Sequence, residues 1–146
     1  MYKMHSESEV TSMIFGLLQS TSIYDDSYSN MVTQPFQPDY YGDLTPCVRI
    51  RDTAYEIVLY ERGVQMLCKT TKDVEDVIYW VLEDTIHTIS YVKLLNKYKV
   101  DNVKTHLSDS KEIRSELTTM IDQAFQDIGG VYLEWHKAGR RAQLES

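Results

Sequence analysis

Between Cys47 and Lys69 the apolar residues recur at every second position, whereas on either side of that stretch they recur at intervals of three and four. A strand sends successive side chains to opposite faces and a helix gathers positions i, i+3 and i+4 on one face, so the two periods cannot be satisfied by one kind of element. Val48 and Ile50 alternate with Arg49 and Arg51, and Tyr55, Ile57 and Leu59 alternate with Glu56, Val58 and Tyr60. The alternation breaks at Asp52-Thr53 and at Arg62-Gly63. Both breaks fit tight turns, with Gly63 supplying the positive φ such turns need, and together they predict a three-stranded antiparallel meander.

Helical phase holds on both sides. Ser6 and Glu9 stand in capping-box spacing ahead of Val10, Met13, Ile14, Leu17 and Leu18, which predicts a short amphipathic helix within Ser6 to Ser20. After the strands, Val74, Val77, Ile78, Val81, Leu82, Ile86, Ile89 and Val92 form an apolar face. Thr70 and Thr71 are good N-caps, and Asp73, Glu75 and Asp76 suit the positive end of a helix dipole, so a long helix is expected from about Lys72 to about Tyr98. Asp109 and Glu112 repeat the capping spacing before Ile113, Leu117, Met120, Ile121, Ala124 and Ile128, and Gly129-Gly130 should end or kink that helix. Val131 to Gln143 reads as a further helical segment with Tyr132 and Trp135 turned inward. No repeat or linker divides the 146 residues. The order predicts one α+β domain over residues 1–146: an N-terminal helix, a small antiparallel β-meander, then two to three helices packed on one face of the sheet.

Several functions are disfavoured by what the chain carries. Twenty-two acidic against 15 basic residues give a net charge of −7, and Met1 to Pro46 holds Glu7, Glu9, Asp25, Asp26, Asp39 and Asp43 against Lys3 alone. Such a surface repels a phosphate backbone, so no nucleic-acid partner is expected. Lys93, Lys97 and Lys99, like Lys137, Arg140 and Arg141, read as cations near helix C-termini. No apolar run approaches the roughly 20 residues of a membrane span. The start carries His5, Glu7 and Glu9 where a secretory signal is basic and then apolar, and a cytoplasmic protein without a membrane partner is expected. Cys47 and Cys68 are far apart and read as buried free thiols. His5, His87, His106 and His136 stand singly, without ligand spacing, so no metal is expected; His87 beside the apolar stripe reads as a structural, hydrogen-bonded residue. The six glycines form neither GxGxxG nor GxxxxGK, and no nucleophile-elbow or cysteine-protease signature surrounds a Ser or Cys. Neither a cofactor nor a catalytic residue is expected.

Residues 20–46 carry all three prolines and no sustained period, and read as a long ordered loop. Within it Tyr24, Asp25, Asp26, Tyr28, Asp39, Tyr40, Tyr41 and Asp43 mix four tyrosines with four aspartates. Tyrosine offers a large contact area at low entropic cost and carboxylates meet Arg and Lys, so these eight are the candidate partner-binding residues. Glu83 and Asp84 extend the set if the loop lies beside their helix. Some of the tyrosines instead pin the loop to the sheet on a purely structural reading, and the face around Asp73, Glu75 and Asp76 is a rival site that the helix dipole explains equally well.

The run Tyr55-Glu56-Ile57-Val58-Leu59-Tyr60-Glu61-Arg62-Gly63, then Thr71, Asp73 and Tyr79-Trp80, resembles the immunity proteins of bacterial polymorphic-toxin and contact-dependent growth inhibition systems. Immunity protein family sixty-three is the group it resembles, over roughly Tyr55 to Trp135, including Arg114, Gln123 and a Trp shortly after a Gly. The motifs themselves read as fold-holding, a charged hairpin turn and an aromatic pair between helix and sheet. The resemblance implies an inhibitor that binds the C-terminal domain of a cognate toxin and blocks its active site or an essential surface. Toxins of such systems are often nucleases with basic grooves, which an acidic inhibitor suits. A non-catalytic adaptor or antitoxin-like regulator is the alternative reading, and a small enzyme a further one.

Overall fold

The computed structural model describes residues 4–98 and 111–139. Helix α1, Glu7–Leu18, starts at the capping box: the Glu9 N–H donates to Ser6 Oγ at 3.2 Å and the Ser6 N–H to Glu9 Oε1 at 3.0 Å. Those two bonds satisfy donors that the first turn cannot pair internally. Val10, Ile14 and Leu18 are buried along one stripe.

The sheet is built as the two-residue period requires. Strands β1, Cys47–Ile50, β2, Tyr55–Glu61, and β3, Val64–Thr71, are antiparallel neighbours in the order β1-β2-β3. The first turn is closed by the Arg51 N–H donating to the Ala54 carbonyl at 2.9 Å. The second holds both central residues at positive φ, 53° at Arg62 and 79° at Gly63. That is the I′ geometry whose twist matches antiparallel strands, and it makes Gly63 the residue that bears it most easily. Val48, Ile57 and Lys69 share one cross-strand row, and Cys47, Val58 and Cys68 the next. Alternation therefore sends Val48, Tyr55 and Ile57 to the helices and Cys47, Val58 and Cys68 to the other face. Register slips between Leu59 and Tyr60, leaving Met66 as the extra residue of a β-bulge.

Helix α3, Val74–Lys97, runs under the sheet, and every residue from Val77 to Leu82 is buried. A helix with a single apolar stripe would not show that; α3 packs against β2 and β3, against α1, and against α4, Lys111–Ile128. Tyr79 and Trp80 join these layers. Their rings meet edge to face at 5.0 Å, Lys69 Nζ of β3 lies 5.4 Å over Trp80, and Tyr79 also meets Phe125 of α4 at 6.2 Å and Trp135 at 5.6 Å. Gly129 and Gly130, both at positive φ, separate α4 from α5, Gly130–Lys137. Tyr132 and Trp135 on α5 are half-buried against the core. At the other end of the chain, the His5 N–H donates to the buried Tyr55 hydroxyl at 2.8 Å and ties the start to the sheet.

The α+β class and the layer order match the sequence expectation, and three details differ. The N-cap of α3 is Asp73, whose side chain accepts from the Glu75 N–H at 2.9 Å, because Thr71 is already the last residue of β3 and turns its hydroxyl to Asp76 Oδ2 at 2.9 Å. Residues 20–46 are not loop throughout: Asp26–Tyr28 and Gln34–Phe36 are 3-10 turns flanking α2, Ser29–Thr33. Cys68 is exposed rather than buried, since β3 is an edge strand and its outer side is uncovered; Cys47 is buried. Lys99, His106, Asp109, Arg140, Arg141 and Gln143 lie outside the described residues. Among the described residues no helix is long and apolar enough to cross a membrane.

Candidate partner-binding surface

The tyrosine- and aspartate-rich segment is held at two places. Its second half folds across the end of the sheet. The Arg49 guanidinium of β1 donates to the Tyr40 carbonyl at 3.0 Å and the Gln37 carbonyl at 3.4 Å, and sits 5.8 Å from the Tyr41 ring. Arg presents five donors in a planar fork, so one side chain can satisfy several loop carbonyls that no strand pairs. Tyr41 rests edge-on against Tyr60 of β2 with centroids 5.0 Å apart, and the Leu44 N–H donates to the Tyr60 carbonyl at 2.7 Å. Asp43 Oδ1 accepts from the Arg62 N–H at 2.7 Å, a charge-assisted bond that holds the hairpin turn. Gly42 permits the close approach, because a Cβ there would fall 2.2 Å from the Tyr40 hydroxyl.

The first half packs on helices. Asp25 caps the 3-10 turn, accepting from the Ser27 N–H at 2.9 Å and from the Ser27 hydroxyl. Those bonds hold its carboxyl below the usual carboxylate range. Tyr24 lies against Phe15 of α1 at 6.2 Å, and its phenol is pushed up by burial and then by the Asp26 and Asp25 charges. Tyr28 lies 5.9 Å beneath Lys93 of α3. Asp26 and Asp39 are exposed. The expected residues thus fall into Tyr40, Tyr41 and Asp43 at the hairpin, and Tyr24, Asp25, Asp26 and Tyr28 near α1 and α3. Of the four tyrosines Tyr41 rests on the sheet, against Tyr60, whereas Tyr24 and Tyr28 lie against α1 and α3.

Glu83 departs from the expectation of an accessible carboxylate. It is 3% exposed, with Oε1 2.6 Å from His87 Nε2 and Oε2 3.7 Å from His136 Nδ1. His136 Nε2 in turn lies 2.7 Å from Asp122 Oδ1, and its ring stacks on Phe125 at 4.2 Å. Glu83 therefore joins α3 to α5 through His136, which reaches Asp122 on α4, and Asp84 beside it is half-buried. His87, read from the sequence as structural and hydrogen-bonded, meets Glu83 one turn earlier on α3. An open cavity of about 390 Å³ beside this cluster is lined by Asp122, Gln126, Leu133, His136 and Lys137. Among the described residues no group of three or more His, Cys, Asp or Glu could hold a metal ion.

Sequence reasoning missed an apolar group. Among the described residues the large hydrophobic side chains exposed to solvent are Met13, Tyr41, Leu44, Val64, Met66 and Tyr98, and the middle four lie near the β2–β3 hairpin. Val64 pairs with Glu61, Met66 is the bulge residue next to the Tyr60–Gln65 pair, and Tyr41 and Leu44 contact Tyr60. The available signal was Val64-Gln65-Met66-Leu67-Cys68, which is apolar at more positions than a strand covered on one face needs.

A family model described as immunity protein 63 matches residues 51–145. The match starts in the turn before β2 and spans the hairpin, α3, α4 and α5, leaving out α1, residues 20–46 and β1. No curated protein and no solved structure matches the chain.

Proposed function

The chain belongs to the immunity protein 63 family, and from that premise we propose that it binds a cognate toxin domain in the cytoplasm and neutralises it by covering the active site or another surface the toxin needs. The family match over residues 51–145 is the observation that carries this reading. The toxin is basic and nuclease-like: a −7 chain with exposed carboxylates at Asp26 and Asp39 complements a groove that otherwise holds phosphate. The docking surface is built from Tyr24, Asp25, Asp26, Tyr28, Asp39, Tyr40, Tyr41 and Asp43, a segment outside the family match and therefore suited to selecting one toxin. Asp25 and Asp43 serve there as supports, since both carboxylates are engaged with backbone N–H groups. Inhibition of this kind is stoichiometric and requires no catalytic residue.

Immunity proteins of such systems are expected to be encoded next to their toxin, and co-expression with the toxin domain of the neighbouring gene tests the reading. Growth should be restored and the two chains should co-purify. A toxin that still kills, and that does not co-purify, would contradict it and favour an adaptor with another partner.

A further inference from the structure

The two edges of the sheet are finished differently. At β1, four residues long, the Val48 carbonyl accepts from the Arg49 guanidinium at 3.3 Å, and the same group holds the Tyr40 and Gln37 carbonyls. β3 is twice as long, eight residues, and has no such cover. The bond from the Arg51 N–H to the Ala54 carbonyl fixes which way the backbone groups point. It makes Arg49–Glu56 and Cys47–Val58 the hydrogen-bonded pairs of β1 and β2, so Tyr55, Ile57 and Leu59 turn to Thr71, Lys69 and Leu67 of β3. The N–H and C=O groups of Cys68 and Thr70 therefore point away from the sheet, and among the described residues nothing pairs with them. Both residues are exposed. An open edge invites a further strand, and proteins ordinarily guard it with proline, charge or a bulge. β3 has no proline, its one charged residue, Lys69, lies over the Trp80 ring, and its bulge is confined to the hairpin end at Met66.

Backbone groups of this kind accept an extended strand, and the side chains decide whose. A basic partner would find no carboxylate on β3. The charges at its two ends are of both signs, with Glu61 and Arg62 before the strand and Lys72 and Asp73 after it, all exposed. A two-fold contact needs both signs within one patch, since each copy offers the same surface. Antiparallel pairing centred on Lys69 would set two lysines opposite each other, which is unfavourable. Centred one residue earlier, Cys68 exchanges both bonds with Cys68 of the other copy, Thr70 faces Met66, and Lys69 faces Leu67. In that register Lys72 and Asp73 of each copy lie level with the other's turn, beside Glu61 and Arg62, so opposite charges meet twice. The net charge of −7 opposes the pairing less than its size suggests, because exposed charges more than about 8 Å apart are largely screened at physiological salt. We propose that β3 pairs antiparallel with β3 of a second copy about Cys68, joining two three-stranded sheets into one of six strands. The inference stands apart from the toxin-binding reading.

Sedimentation of the purified protein at rising concentration, with melting temperature as the check on folding, tests the pairing. The wild type should reach twice the 17.0 kDa of one chain. Cys68→Lys and Cys68→Glu each set like charges opposite one another and should raise the dimer dissociation constant about fivefold, while an equimolar mixture of the two returns to the wild-type value. Thr70→Pro removes an outward N–H without touching a bond to β2 and should abolish the dimer. Copper-phenanthroline should link wild-type copies through Cys68, whose Cα atoms at about 5.5 Å suit a disulfide, and should not link Cys68→Ser. A wild type that stays monomeric at every concentration would overturn the pairing, and a loss of toxin affinity in Thr70→Pro, read by calorimetry, would then give the edge to the toxin. A dimer that persists in folded Thr70→Pro, with no difference between the charged variants and their mixture, would overturn it as well by placing the contact elsewhere.

Discussion

Replacing Gly63 by valine isolates the hairpin turn from every other source of stability. A Cβ built at Gly63 meets nothing within 4 Å, so the branching carbon itself has room. The loss comes from the backbone: φ is 79°, and an L-residue in the left-handed region costs about 1–2 kcal/mol, with a β-branched side chain at the upper end. If the turn relaxes instead, the Arg62 N–H leaves Asp43, and a bond to a charged group contributes about 1.5–3 kcal/mol. Either route predicts a loss of about 2 kcal/mol, or roughly 4–8 °C in melting temperature for a domain of this size. Asparagine tolerates the left-handed region, so Gly63→Asn should lose less than half as much. Thermal denaturation followed by circular dichroism checks both. A Gly63→Val protein melting within 1 °C of wild type, or equal losses for Val and Asn, would refute the turn geometry.

Other parts of the structure give independent expectations. Asp26→Lys/Asp39→Lys should slow toxin association and flatten its salt dependence without altering the melting temperature, whereas an unchanged association rate measured by stopped flow would remove the acidic segment from steering. His136→Ala should destabilise the fold by about 2–3 kcal/mol in urea titration, because it removes the stack on Phe125 and one neighbour of the buried Glu83 carboxylate, and the more exposed His87→Ala should lose less. Tyr132 is pushed up to about 12, first by burial and then by the Glu75 and Asp73 charges. Its folded value is raised above the unfolded one, so its contribution is complete below pH 10 and is lost as pH rises towards 12; Tyr132→Phe should melt with a weaker dependence on pH across that window.

Legibility from the sequence followed the range of the interaction. The capping box of α1, the two hairpin turns and the break at Gly129-Gly130 are set by neighbours in sequence, and each is found where periodicity and turn chemistry put it. Asp73 displaced Thr70 and Thr71 as the cap of α3 because strand pairing claimed Thr71 first, a tertiary contest that local preference does not record. Glu83 looked like a surface carboxylate because its partners are His87, four residues on, and His136, brought by α5 from a distant part of the chain. Cys68 looked buried because alternation alone does not say which edge of a three-stranded sheet is left bare. Val64 and Met66 were hidden too: both lie at the turn end of the sheet, Met66 in the bulge at Leu59/Tyr60 and Val64 in the last pair before the turn, opposite Glu61. The tyrosines and aspartates of residues 20–46 were visible as a composition, but their division between the hairpin and the α1–α3 side was not.

Stoichiometric capture of a toxin domain is open to direct measurement by light scattering of the purified, co-expressed pair. A stable complex should contain one copy of this 17.0 kDa chain per toxin domain and be inactive as a toxin until the two are separated. Separate elution of the two chains at micromolar concentration, with the toxin fully active in the presence of excess of this protein, would contradict it.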